Sequence, residues 1–296
     1  MTDASSGAPL DTSRRFLFDD ADIRGESVRL QRSYRDILDI HQYAPGVSRL
    51  IGEFLAASVL LSTTLKFEGR LILQVRSEGQ VPLLMAECDH NLQVRSIARG
   101  AQTATALDNE LLLTNGQLAI TIDPLEGKRY QGIVPLHEDS LAHSLDAYFE
   151  HSEQLGTRIW LAADGEAAGG LLLQQLPAQI VPEQELREQQ WEHARTLAAT
   201  VTAQELLTLD APALLLRLYR EDPVRLFESR QVTFCCSCSR ERTRSALASL
   251  GRAEVEELLQ DLGVITMDCE FCNQQYRFDS GDLEDLLQAP QSKTLH

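Results

Sequence analysis

Basic residues are scarce in this chain: 27 Lys and Arg stand against 44 Asp and Glu in 296 residues, giving a formal net charge of −17 and a pI near 4.8. Such a chain repels phosphate backbones unless it gathers a local basic patch. Its densest basic cluster is only Arg240, Arg242 and Arg244, so no nucleic-acid partner is expected. Cysteine is also scarce, six in all, which excludes a disulfide scaffold. None is needed, since a chain of this length buries about three quarters of its unfolded surface. Long apolar runs are missing too: no window offers the roughly 18 apolar residues of a spanning helix. The longest uncharged stretch, Ala167 to Pro182, carries two Gly, two Pro and three Gln. Met1 to Pro9 lacks a basic segment followed by an apolar one, so a cytoplasmic protein without membrane association is expected. G-x-S-x-G, H-E-x-x-H and G-x-x-x-x-G-K-[ST] are absent, and His41, His90, His137, His143, His151 and His193 are dispersed. The chain is not expected to be an enzyme.

What is present divides the chain into three parts. Period-two patterns predict a hairpin over residues 14 to 31 and a meander of strands at 71–75, 81–88 and 92–98. Further strands are expected at 117–122, 130–136, 157–162 and 170–175. Helical spacing appears at 34–41, from Pro45 to about Leu65, and at 141–150. Strands with segregated helices indicate an α+β class. Pro177 and Pro182 close this N-terminal mixed β-sheet domain, 1–182. A Leu-rich helical linker region without strands follows to about residue 228, with helices around Trp191 to Leu197, after the Thr202 and Glu205 capping box, and after Asp210-Ala211-Pro212. It is read as 183–231, and its amphipathic pattern must lie against something. A small C-terminal domain, 232–296, holds five of the six cysteines.

Those cysteines form Cys236-x-Cys238 and Cys269-x-x-Cys272, with thirty residues between the pairs. Four thiolates complete a tetrahedral shell, and two chelating turns joined across a folded insert suit a closed zinc site. Histidine is excluded, because only His296 follows His193. Cys235 leaves an alternative open, since Cys235-x-x-Cys238 and Cys236-x-Cys238 cannot both serve a four-coordinate ion. The insert reads as two short helices, 239–250 and 253–262, with Val255, Leu258, Leu259 and Leu262 on one face. Few core residues lie between Phe234 and Phe278, so metal would supply much of the folding energy. Arg240, Arg242 and Arg244 either stabilise the thiolates or form a solvated helix face. Cys88, in a predicted strand, reads as a small buried hydrophobe.

The run Cys236-Ser237-Cys238-Ser239-Arg240-Glu241-Arg242 resembles the C-x-C-S-R-E-R of the redox-regulated 33 kDa heat shock protein family, also called 33 kDa chaperonins. Cys269-Glu270-Phe271-Cys272, with Tyr276 and Phe278, is similar to the second half of that family's motif. Thr64-Leu65-Lys66-Phe67-Glu68-Gly69 and Arg129-Tyr130-Gln131-Gly132-Ile133-Val134 resemble its N-terminal signatures. The resemblance favours Cys236 over Cys235 as ligand and implies an ATP-independent holdase. In its reduced form Cys236, Cys238, Cys269 and Cys272 hold one zinc ion per chain. Oxidation is then expected to form Cys236–Cys238 and Cys269–Cys272 disulfides, release zinc and unfold the C-terminal redox-switch domain. The linker region loses order, and an oxidised homodimer binds unfolding client proteins through the N-terminal substrate-binding and dimerisation domain and newly exposed apolar surface. Cys235 departs from the family's single-cysteine start and leaves a Cys235–Cys238 pairing open.

Two other classes compete. A thiol–disulfide oxidoreductase would use Cys269 and Cys272, but needs a low-pKa thiol, and Glu270 between them disfavours a thiolate. A structural zinc ribbon would bind nucleic acid or another protein, yet residues 232–296 hold six basic and eleven acidic side chains, the wrong sign for nucleic acid.

Overall fold

A computed structural model describes residues 11–64, 68–137, 140–152 and 155–284, with His151 and Ser152 known by backbone alone. Met1 to Pro9, and Leu65-Lys66-Phe67 of the family-like segment, lie outside the described residues. The chain forms two compact units, Met1–Cys235 and Cys236–His296.

The first unit opens with the expected hairpin, β1 (Thr12–Phe18) and β2 (Ile23–Leu30), paired antiparallel with Phe16 opposite Gly25. Only glycine fits there, because a Cβ on Gly25 would lie 2.0 Å from the Phe16 ring. A short helix, α1 (Arg32–Leu38), has no cap of its own. Instead the Asp11 carboxylate accepts the backbone N–H groups of Gln31, Arg32 and Ser33, the service an N-cap side chain gives.

Helix α2 (Pro45–Thr64) starts on proline, whose missing N–H costs nothing in a first turn. Seventeen of its twenty residues are buried, as expected of a helix apolar on every side. With its alanines and serines it is long and apolar enough to cross a membrane, at mean hydropathy 1.3, which the search for apolar runs did not anticipate. Here 89% of that window is buried inside the protein. Ser58, Thr63 and Thr64 return their hydroxyls to the carbonyls of Leu55, Leu60 and Leu61. Arg15 and Arg24 donate to the last carbonyls, of Thr63 and Thr64.

The meander follows as β3 (Gly69–Arg76), β4 (Leu83–Asp89) and β5 (Gln93–Arg99). The Asp89 carboxylate closes the second turn by accepting the N–H groups of Asn91 and Gln93. A one-turn helix, α3 (Asn109–Leu112), which the sequence reading omitted, is capped by Asp108. Strands β6 (Gln117–Pro124) and β7 (Tyr130–Pro135) extend the sheet beyond β3. Helix α4 (Leu141–Ser152) leads into β8 (Thr157–Ala163) and β9 (Ala168–Gln175), which complete a sheet with the first hairpin in the order β1-β2-β9-β8. Helix α2 packs against both sheets, and its side chains with Leu71, Leu73, Leu84, Ile159 and Leu172 make the main core.

Strand β9 is buried on both faces. Its outer face, with Phe16 and Phe18, receives α5 (Gln184–Ala198), α6 (Ala203–Thr208) and α7 (Ala211–Leu218). Ala194, Ala198, Leu206, Leu214, Leu215, Leu218 and Tyr219 fill this second core. The capping box at Thr202 and Glu205 is present, and Asp210 caps α7. The middle helices are therefore a connector packed on the first unit.

The sequence reading found no strand up to residue 228, and here the structure differs. Residues 224–234 form a strap of three short strands, β10 (Val224–Leu226) and β11 (Arg230–Gln231) antiparallel on β1, and β12 (Thr233–Phe234) parallel on β5. Each is an addition to the free edge of a preformed sheet, which local sequence does not announce.

The second unit holds α8 (Arg240–Leu250), α9 (Arg252–Leu262) and a hairpin of β13 (Ile265–Asp268) and β14 (Gln275–Phe278). Its core is small: Leu247, Val255, Ile265, Phe278 and Leu283. Leu258 and Leu259 pack against it, but Leu262, placed on the same face by spacing, is 63% exposed at the helix end.

Candidate metal centre

Two backbone turns present the four expected cysteines. The first ends the β13–β14 hairpin: Cys269 N–H donates to the Gln274 carbonyl, and the Cys272 and Asn273 N–H groups donate to the Cys269 carbonyl. Asn273 sits at φ +54, a left-handed conformation that asparagine tolerates better than most residues. The second turn, Cys236-Ser237-Cys238, runs into α8, where Ser239 caps the helix by accepting the Arg242 N–H. The Arg242 guanidinium donates to both the carbonyl and the hydroxyl oxygen of Ser237. Arg240 pairs with Asp282 at 2.7 Å and lies 4.6 Å over the Phe278 ring, and Arg244 donates to the Asp282 carbonyl. The arginines thus brace the Cys236-Ser237-Cys238 turn and tie α8 to the segment after β14.

The sulfurs of Cys236, Cys238, Cys269 and Cys272 all lie within 4.8 Å of one another. Cys236 approaches Cys269 at 3.6 Å and Cys238 approaches Cys272 at 3.4 Å. Four thiolates about 2.3 Å from a central zinc would be separated by about 3.8 Å, so the donor set fits a tetrahedral ion. Among the described residues this is the group of His, Cys, Asp or Glu whose ligand atoms converge in this way.

The electrostatics agree with the geometry. Burial works against ionisation of Cys238, but the Tyr276 hydroxyl, donating to its sulfur at 3.1 Å, and the neighbouring thiols outweigh it and bring the group below its ordinary value. Cys269 and Cys272 are held above the ordinary thiol range, first by burial. Tyr276 itself is pushed up to about 12, chiefly by its bond to Cys238. Crowded thiols resist losing successive protons, and a central divalent cation removes that penalty.

Cys235 is exposed and stands outside the four-sulfur group. Its N–H donates to the Val94 carbonyl, holding it to the edge of β5. Cys88 is fully buried, and burial pushes its thiol up to about 12, the inert small hydrophobe expected. The sequence reading noted Tyr276 as an aromatic without assigning its hydroxyl a partner. The signal available was its position on the strand leaving the Cys269–Cys272 turn.

A mixed α+β body followed by a small four-cysteine unit defines a class that comparison with known proteins makes specific. The family model described as Hsp33 protein matches residues 11–279. The 33 kDa chaperonin of Pseudomonas paraeruginosa is 54% identical over 279 residues, covering 93% of this chain and 94% of that protein. That of Pseudomonas aeruginosa is 53% identical over 279 residues, with the same coverage of 93% and 94%. The crystal structure of the 33 kDa chaperonin from Thermotoga maritima matches with a TM-score of 0.78 at 20% identity, covering 94% of this chain and 98% of that one, a likeness of fold. The chain belongs to the Hsp33 family.

Proposed function

We propose that this protein is an ATP-independent holdase, cytoplasmic and without catalytic turnover, that oxidation switches on to bind unfolding proteins. The observation that carries this reading is the convergence of four sulfurs within 4.8 Å in a unit whose own core is five buried side chains. A unit so poorly supplied with core depends on what joins its two turns. One zinc ion per chain, bound to Cys236, Cys238, Cys269 and Cys272 in the reduced state, would neutralise the thiolates and lock the turns together.

Under oxidant, Cys236 pairs with Cys238 and Cys269 with Cys272. Each disulfide consumes two thiols and one peroxide and yields two waters. Sulfurs so paired are no longer thiolate donors, so zinc binding is lost and the small unit opens one residue beyond the strap. The middle helices, which rest on the first sheet through a handful of leucines, then leave and uncover Phe16, Phe18, Leu171 and Leu173 for client polypeptides. In this scheme residues 1–182 bind clients and form the oxidised homodimer, 183–231 are the linker and 232–296 the redox switch. Nucleic acid and membranes have no role. An oxidoreductase reading is less well supported, because burial holds Cys269 and Cys272 above the ordinary thiol range.

The test follows light scattering from a heat-unfolded client, without ATP, in the presence of the zinc-loaded reduced protein or the same sample treated with peroxide at mildly elevated temperature. Suppression by the oxidised sample alone, with zinc release and reversal by a thiol reductant, is expected. Equal behaviour of the two samples would reduce the cysteine centre to a structural site.

A further inference from the structure

The strap lies on two sheet edges of the first unit, that of β1 and the Gln93–Val94 end of β5, beyond which the Tyr43 hydroxyl accepts the Ala98 N–H, and it ends where the cysteine turns begin. Its backbone bonds are those of three short ladders and five more around their ends. Asp19 N–H donates to Pro223, Phe227 N–H to Arg15, Val232 N–H to Asp11, Thr233 N–H to Leu92 and Cys235 N–H to Val94. Its side chains alternate: Val224 and Leu226 pack on the second core, and Val232 and Phe234 on the main core. Arg225, Gln231 and Thr233 between them face solvent. Strands of three, two and two residues are far below the length at which pairing is robust. Unlike the continuous burial of β9, such pairing belongs to the readily opened part of a fold.

We propose that the edges of β1 and β5, once the strap has left them, are a client-docking surface that takes extended polypeptide by strand addition, with apolar side chains at alternate positions. This rests on the holdase reading and adds to it the surface and the kind of partner. The strap itself is the precedent for the occupant, since it is an extended apolar-alternating segment seated on both edges. Main-chain bonding would make the surface indifferent to sequence, and the pockets beneath Val224, Leu226, Val232 and Phe234 would select only the alternation. An unfolding protein exposes such segments whatever its identity. The folded strap would also shield edges that would otherwise pair indiscriminately.

The test uses a labelled synthetic peptide spanning Asp222 to Phe234 and the full chain, reduced and zinc-loaded or oxidised, with binding read by fluorescence anisotropy. The oxidised chain is expected to bind it at least about tenfold more tightly than the reduced chain. N-methylation of the two peptide amides matching Phe227 and Val232 removes two main-chain bonds and is expected to weaken binding by about tenfold or more. N-methylation of the amide matching Leu226, which alternation turns away from β1, should change it less than about twofold. The unmethylated peptide in excess should also slow client capture. Binding insensitive to which amide is methylated overturns strand addition. So does absence of peptide binding to an oxidised sample that still suppresses aggregation, an outcome that leaves the holdase reading standing. If the amide pattern holds but the oxidised sample suppresses nothing, the holdase reading fails and the client role of these edges falls with it.

Discussion

Replacing Gly169 with alanine should loosen the middle helices while leaving the metal centre untouched. Gly169 lies in β9, and a Cβ there would stand 2.3 Å from the Leu206 carbonyl oxygen and 2.9 Å from its carbon. These are backbone atoms of α6, so no side-chain rotation relieves the contact, and the helix must retreat by about 1 Å. Overpacking of this kind costs about 1–3 kcal/mol. The penalty falls on docking of α6, which contributes one fully buried leucine, Leu206, to the second core. A destabilisation of that size raises the undocked population roughly 5- to 150-fold. The assay is limited trypsin digestion of reduced, zinc-loaded protein, reading cleavage after Arg187, Arg195 and Arg217. The control is Gly170→Ala, one residue along, whose Cβ would meet Leu60 and Leu161 side chains at 2.9 and 3.0 Å and the Trp160 carbonyl at 3.1 Å. That substitution should lower the melting temperature of the whole first unit without selectively exposing the middle helices. Under the holdase reading, Gly169→Ala should also suppress client aggregation in part without peroxide. Cleavage at the parental rate with unchanged melting would refute the reasoning.

Removing the Tyr276 hydroxyl by Tyr276→Phe takes away the donor to Cys238 and should weaken zinc retention roughly tenfold in chelator competition; parental retention would sink the assignment. Cys235→Ser should leave zinc stoichiometry and the peroxide response unchanged, whereas loss of zinc would place Cys235 among the ligands. Asp146 is buried, with Oδ1 lacking a partner, and burial, only partly offset by Arg158, pushes its carboxyl up to about 7. The fold thus favours its neutral form, and stability is lost as pH rises from the unfolded value near 3.8 towards 7. Asp146→Asn should therefore stabilise the protein more at pH 8 than at pH 5, by on the order of 2 kcal/mol; equal gains at the two pH values in thermal melts would contradict it.

The parts of the fold legible in the sequence are those whose cause is local. Proline at the head of α2, the Thr202 capping box and the alternation through β3 to β5 all act within a few residues. The strap was illegible because its partners lie far away, Leu226 pairing with Phe16 and Phe234 with Val94. Val224-Arg225-Leu226 alternates, but three residues do not make a strand without an edge to join. The carboxylate anchors were hidden for the same reason: Asp22 accepts the N–H groups of Gln179, Ile180 and Val181, just before the middle region. At the metal centre the spacing of the cysteines marked a four-sulfur site but left Cys235 and Cys236 as alternatives, and it was the family resemblance that favoured Cys236, the one that converges with the other three. The contact from Tyr276 to Cys238 was not legible, since it arises only when the β13–β14 hairpin folds back.

The geometry of the sulfurs also constrains what oxidation must do for a switch to work. The two short contacts at 3.4 and 3.6 Å run between the turns, joining residues 34 and 33 positions apart, while the proposed disulfides lie within each turn. A bond across the turns would close a loop of over thirty residues and, by the chain-entropy argument, restrict the unfolded chain by about 3–4 kcal/mol. It would replace the metal as a staple and keep the unit shut. A bond within Cys236-x-Cys238 or Cys269-x-x-Cys272 restricts the unfolded chain by only about half as much, leaves the two turns unjoined and removes the thiolates that tie them together. Opening therefore requires pairing within the turns rather than along the two contacts that run between them.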